Sequence, residues 1–150
     1  MTYLPRSELT DFIIAKLAQK ILVGDVDHPD GGGWDDDPSL PGSSYIPYVV
    51  LAPMPISSMS GPVADPHVDY RVPFSLTFFG ISRGQVDGYA DLCRKHLSSI
   101  TRQAIILDGS TWKIQQIEPS SIGGITRTEI MEPSTFAQSD VITVWISKDL

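Results

Sequence analysis

Residues 68–79 read Val-Asp-Tyr-Arg-Val-Pro-Phe-Ser-Leu-Thr-Phe-Phe. Val68, Tyr70, Val72, Phe74, Leu76 and Phe78 fall on one side of an extended chain. Asp69, Arg71, Pro73, Ser75, Thr77 and Phe79 fall on the other. Side chains of a strand alternate between faces, so this spacing predicts a half-buried strand long enough to cross a whole sheet. Gly80 ends it.

The chain on the C-terminal side then changes period. Ser82 and Gln85 form a Ser-x-x-Gln capping box, in which the serine hydroxyl accepts from a free amide of the first turn. Val86, Tyr89, Ala90, Cys93, Leu97 and Ile100 make an apolar helical stripe. Asp87, Asp91, Arg94, Lys95 and Ser98 make the wet face, with Asp91 and Lys95 spaced to pair. Arg94, Lys95 and His96 complement the negative end of the helix dipole. Strands follow. Ile105–Leu107 and Thr111–Ile117 are joined by Asp108-Gly109, a type I′ hairpin signal. A weaker strand is expected over Ile125–Met131 and a last one over Val141–Ser147.

On the N-terminal side, Tyr45–Ala52 reads as a strand, with Pro47 favouring an edge or a strand start. Pro53–Pro66 holds Pro53, Pro55, Pro62 and Pro66, which exclude a helix or a central strand. Asp25–Ser44 carries three consecutive glycines and six aspartates. It reads as a mobile, exposed and unusually long loop. A first helix is expected over Ser7–Val23, with Ser7 as N-cap, Leu9, Ile13, Leu17 and Ile21 on its apolar face, and Gly24 as its stop.

The order is helix, strand, strand, helix, then strands. Two helices cannot cover both faces of such a sheet. The expectation is a single α+β domain over residues 1–150, with a mainly antiparallel sheet and both helices packed on one face. Hydrophobic residues make up 41% and charged residues 19% of the chain, an ordinary globular balance. Its 18 acidic and 11 basic residues give a formal net charge of -7, which disfavours gripping a phosphate backbone. The single cysteine excludes an internal disulfide. The start, Met-Thr-Tyr-Leu-Pro-Arg-Ser-Glu, lacks a basic region followed by an apolar core, so no secretory signal is expected. No apolar run approaches the roughly 18 residues of a membrane span, so no membrane contact is expected either.

Motifs for chemistry are sparse. Asp25, Asp27 and Asp30-Gly31 resemble the start of a calcium-binding helix-loop-helix segment. The register fails, because Pro29 stands where the third ligand belongs and the twelfth position is Asp36 instead of glutamate. A solvated, self-repelling loop is the preferred reading, and no metal or cofactor is expected. Cys93 and His96 lie three apart on the second helix, but Cys93 falls on the apolar stripe, where cysteine acts as a small hydrophobe. His28, His67 and His96 show no metal-ligand spacing. Phe78, Phe79, Trp34, Trp112 and Trp145 are not interleaved with basic residues and read as core rather than a nucleic-acid stacking platform. No catalytic constellation is present, and the chain reads as a non-enzyme.

Tyr48-Val49-Val50-Leu51, then Ser60-Gly61-Pro62-Val63-Ala64-Asp65-Pro66 and Asp69, resemble the tail terminator proteins of long-tailed bacteriophages. In that family a Pro-Tyr-Val-Val-Leu strand precedes a Ser-Gly-Pro-Leu-x-Asp-Pro loop. A long strand then ends in glycine, and a helix opens with arginine followed by glutamine. Here these are Val72–Gly80, Arg83-Gly84-Gln85 and Ala90–Arg94. Phe136-Ala137 with Asp140 resembles the family's closing strand, although Val144-Trp145 departs from it, as does Val63 in place of leucine.

The resemblance implies a virion protein, made in the host cytoplasm, that caps the head-proximal end of the tail tube. It implies a six-membered ring of identical subunits that docks on the tail tube protein and stops its polymerisation. The ring then offers a surface to the head–tail connector or stopper protein. Its net negative charge would let genomic DNA pass without specific binding. On this reading the proline-stiffened loop supplies interface residues, namely Met54, Ile56, Met59, Gly61, Pro62, Val63 and Asp65. Two readings compete: a head-side completion or stopper protein, and a calcium-dependent binding module built on the acidic loop.

Overall fold

The computed structural model describes residues 4–58, 67–128 and 134–149, with side chains described over 4–56, 69–128 and 134–148. The elements are α1 (Arg6–Leu17), β1 (Leu22–Asp25), β2 (Gly33–Trp34), β3 (Tyr45–Ile46), β4 (Tyr48–Pro53), β5 (Ser57–Ser58), β6 (His67–Gly80), α2 (Arg83–Ser98), β7 (Gln103–Leu107), β8 (Ser110–Arg127) and β9 (Phe136–Asp149).

One sheet runs in the order β1-β4-β6-β9-β8-β7, with β5 also paired to β6. All its pairings are antiparallel except that between β1 and β4. The spine is β6 against β9, in unbroken register from His67↔Asp149 to Gly80↔Phe136. Val72, Phe74, Leu76 and Phe78 are buried on one face, as the alternation requires. Leu9, Ile13 and Leu17 of α1, and Val86, Ala90, Cys93 and Leu97 of α2, join them in one core. Both helices therefore cover the same face, and the α+β expectation holds.

The second helix follows its sequence. Ser82 Oγ accepts from Gln85 N at 3.1 Å. The Gln85 side chain reaches back to accept from Ile81 N at 3.0 Å, one residue before the cap. The β7–β8 turn places Asp108 at φ 49° and Gly109 at φ 73°, the pair of left-handed conformations that a type I′ turn needs. Glu8 Oε2 accepts from Asp108 N at 2.6 Å and ties α1 to that turn.

The first helix differs from expectation. It ends at Leu17, and Leu22–Asp25 leave it as β1, pairing in parallel with β4. Ile21 is still buried, but from a turn. The apolar period continues past the helix because the sheet edge needs the same burial, so tertiary pairing overrides local periodicity. Its N-cap is Pro5, with no side-chain cap, and Ser7 is its second residue. Pro47 splits the expected Tyr45–Ala52 strand into β3 and β4.

Two other strands are longer than their apolar patterns. β9 starts at Phe136, and β8 runs unbroken to Arg127, with the expected residues 129–131 outside the described ones. Register shifts between Ile114 and Gln116, Pro119 and Ser121, and Ile122 and Ile125 interrupt the alternation that would have revealed a continuous β8.

The last of these bulges explains a contrast between adjacent glycines. A Cβ on Gly123 would lie 2.0 Å from the Ser139 carbonyl oxygen, whereas one on Gly124 would meet nothing within 4 Å. Gly123→Ala should therefore destabilise the fold by roughly 2–4 kcal/mol, and Gly124→Ala by less than about 1 kcal/mol, as read from urea unfolding midpoints.

Candidate interaction surfaces

Counting back by twos from Ile146 through Val144 and Ile142 puts Asp140 and Gln138 on the helix-covered face. Asp140 is 0% exposed. A carboxylate there demands a cation and hydrogen-bond donors. Arg94 Nη1 of α2 donates to its Oδ2 at 2.7 Å. Gln138 Nε2 donates to Oδ1 at 2.9 Å, and the Gly123 amide of β8 donates to Oδ1 at 3.1 Å. One carboxylate thus joins α2, β8 and β9. Arg94 belongs to this lock and not to the wet face, its side chain being only 15% exposed. Asp91 stays outside, 2.9 Å from Lys95 and 3.8 Å from Arg94. Hydrogen bonding to Lys95 holds the Asp91 carboxyl below the usual range.

Cys93 is wholly buried in the same helix. Burial pushes its thiol up to about 11, against weaker opposing pulls from Arg94 and Lys20. A thiol held neutral and inaccessible is a poor nucleophile. It packs as the apolar stripe predicts.

The acidic segment is not the structureless loop expected of it. β2 and β3 pair antiparallel, Gly33 with Ile46 and Trp34 with Tyr45. Asp35 N donates to Ser44 O at 3.0 Å, and Ser44 N and Oγ donate to the Asp35 carboxylate at 2.8 and 2.9 Å. These bonds, Ser44 N foremost, hold Asp35 below the usual carboxylate range, as Ser39 N and then its hydroxyl do for Asp37. The carboxylates serve as turn acceptors. Asp27 Oδ1 accepts from His28 N, and Asp25 lies on β1 facing Arg6 and Asp11 across a shallow depression. Asp30 is exposed. Among the described residues no group of three or more His, Cys, Asp or Glu is placed to hold a metal ion.

This segment folds onto the sheet face that the helices leave open. His28 lies 4.6 Å from Tyr48, ring to ring, and Tyr48 stacks on Phe79 at 4.8 Å. Trp34 meets Tyr45 edge-on at 5.5 Å. Together with Gly32, Gly33, Thr128 and Thr135 they line a cleft of about 510 Å³. Burial raises the Tyr48 phenol, with a hydrogen bond from Tyr45 pulling the other way. Phe78 and Trp112 are core, as read from sequence, but Phe79 and Trp34 belong to this cleft. Trp145 is half-buried on the open face, with the Arg71 guanidinium 4.2 Å above its ring and its Nε1 donating to Glu118 Oε1 at 2.9 Å.

Of the interface residues read from the proline-rich segment, Met54 and Ile56 are described. Met54 N donates to Pro73 O at 3.1 Å, Arg6 Nη2 donates to Met54 O, and Ile56 packs against the core. Both are half-buried against their own sheet instead of projecting from it. Met59, Gly61, Pro62, Val63 and Asp65 lie outside the described residues. No helix among the described residues is long and apolar enough to cross a membrane. No family model and no curated protein matches this chain.

Two measurements follow. Arg94→Met strands a fully buried carboxylate and should cost about 3–5 kcal/mol in chemical denaturation, while Arg94→Met with Asp140→Leu should cost clearly less than the two single changes summed. Because the folded thiol ionises near 11 and an ordinary one near 9.0, the unfolded chain loses its proton first as pH rises. Cys93 therefore withdraws stability through that window and not below it. The stability difference between wild type and Cys93→Ala, from urea melts at pH about 8 and about 10.5, should shift against wild type at the higher pH.

Proposed function

We propose that this protein is the tail terminator of a long-tailed bacteriophage, a ring-forming subunit that caps the head-proximal end of the tail tube. One observation carries the reading. Those of the residues resembling the terminator family that the structure describes, scattered in sequence, form a single packed unit, while residues 60–66 lie outside the described ones. Tyr48–Leu51 lie in β4, and Val72–Gly80 lie in β6, where Leu76–Phe79 pair with them. Ala90–Arg94 lie on α2 above them, and Phe136–Asp140 open β9 on the other side of β6. Arg94 and Asp140, drawn from two separate motifs, bond each other in the core. Residues so coupled form a scaffold, and the surfaces left over are the sheet edges and the open face, where a structural subunit meets its neighbours.

In such a ring each subunit presents one patch to a different patch on the next, and closure depends on the rotation between them. The tube and the connector would meet the two rims. The net charge of -7 opposes adhesion of the DNA that passes through.

Negative-stain microscopy of particles from a phage lacking this gene tests the reading. Overlong, headless tails beside DNA-filled heads are expected. Headless tails of normal length would move the protein to the head side of the joint, and intact infectious particles would overturn a structural role altogether.

A further inference from the structure

The outline of the sheet is staggered. On one flank β4 covers Phe74–Phe79 of β6, and β1 covers β4. Toward the start of β6, the pairs that flank holds among the described residues are Ser57 with Arg71 and Ser58 with Tyr70, after the Met54 N to Pro73 O bond. On the other flank β7 covers Ser110–Ile114 of β8. Arg102 N donating to Gln115 O at 3.2 Å closes that pairing. From residue 116 to 127 the outer edge of β8 has no further strand beside it among the described residues.

Rows of paired residues relate the two flanks. One row runs Leu22, Tyr48, Phe79, Ala137, Thr126, and another runs Asp25, Leu51, Leu76, Asp140, Ile122. The open stretch of β8 is therefore level with β1 and β4. Among the described residues, one flank carries strands at the level where the other does not, so the outline is complementary to that of a second copy set beside it.

Strand sense agrees. β8 runs parallel to β6, and β1 runs antiparallel to both. A second copy in the same orientation would set its β1 antiparallel beside the open edge of β8. Unpaired backbone donors and acceptors on an edge are a template for such addition. Apolar side chains stand exposed at both margins: Leu22 (37%) and Val26 (64%) at β1, and Ile122 (59%) on β8. Val26 also sits at φ 66°, a left-handed conformation costly for a β-branched residue. Its amide is held by Leu51 O at 2.8 Å, and with the residue 64% exposed burial offsets little of that strain. Pro119 and the bulges confine pairing on β8 to short stretches, which suits a strand of four residues and opposes stacking of long ones.

We propose that the outer edge of β8 over Ser121–Arg127 docks the β1 edge of a second copy, so that subunits join head to tail through one continuous sheet. This rests on the ring reading and names its interface. The contact is heterologous, one edge meeting a different edge, as a closed ring requires.

Sedimentation velocity of the full chain over a concentration series, with hydrogen exchange on monomer and assembly, tests it. The expected result is at least tenfold slower exchange at both Ser121–Arg127 and Leu22–Asp25 in the assembly. Ile122→Lys should raise the concentration of half-assembly about tenfold or more with the melting temperature of the monomer unchanged. An assembly in which the β8 amides exchange as fast as in the monomer overturns the edge assignment and leaves the ring standing. Protection of β8 without β1 means a different occupant and also overturns it. A chain that stays monomeric at every concentration overturns both.

Discussion

Asp140 has no contact with water, and that constraint organises the middle of the molecule. A carboxylate in the core is tolerable only if a cation and several donors reach it together. Arg94 must come from α2, Gln138 from the same strand, and the Gly123 amide from the neighbouring strand. The Gly123 contact in turn needs a backbone close to Ser139, which only glycine allows. The bulge in β8, the seat of α2 and the inward face of β9 are thus parts of one arrangement. An apolar residue at position 140 would fill the space but would not choose among registers, whereas a carboxylate with three donors does.

The two faces of the sheet divide the remaining work. The helix face holds the core, from Leu9 on α1 to Ile146 on β9. The other face is only partly covered. The acidic segment lies over Tyr48 and Phe79, and beyond it Trp145 contacts both Arg71 and Glu118 at the surface. Thr77 and Ser139, and Thr143 and Ser120, add hydroxyl pairs across the strands. Such a mixed face, half-apolar and laced with hydrogen bonds, has the balance of apolar and polar area common at interfaces between proteins. The aspartates of the segment do local work as well, since Asp35 and Asp37 close turns. Their number reflects backbone geometry as much as charge.

The candidate surfaces were unevenly legible. The Cys93 stripe position foretold a core thiol, and so it stands. The Arg94–Asp140 lock is not legible on a helical wheel, which puts Arg94 on the wet face, because a long side chain can start at the margin of that face and reach inward. The signal was available in the alternation from Ile146 to Gln138, which puts a lone acid on an apolar face. The aromatic cleft could not be read, because Trp34 and Phe79 are 45 residues apart in sequence, and only the folding back of the acidic segment brings them to one wall.

What the sequence determined by itself is the part governed by local period and local stereochemistry. The strict alternation over 68–79, the capped stripe over 82–100 and the Asp108-Gly109 turn each required one conformation, and together they dictated a one-faced sheet under two helices. What only the tertiary structure decided is pairing. That α1 yields at Leu17 to a parallel edge strand, that β8 continues through three register shifts, and that among the described residues one flank of the sheet carries strands at a level where the other does not, all depend on partners distant along the chain. Backbone hydrogen bonds between strands carry no side-chain signature of their own, so their register and their unpaired edges become visible only once the sheet is assembled.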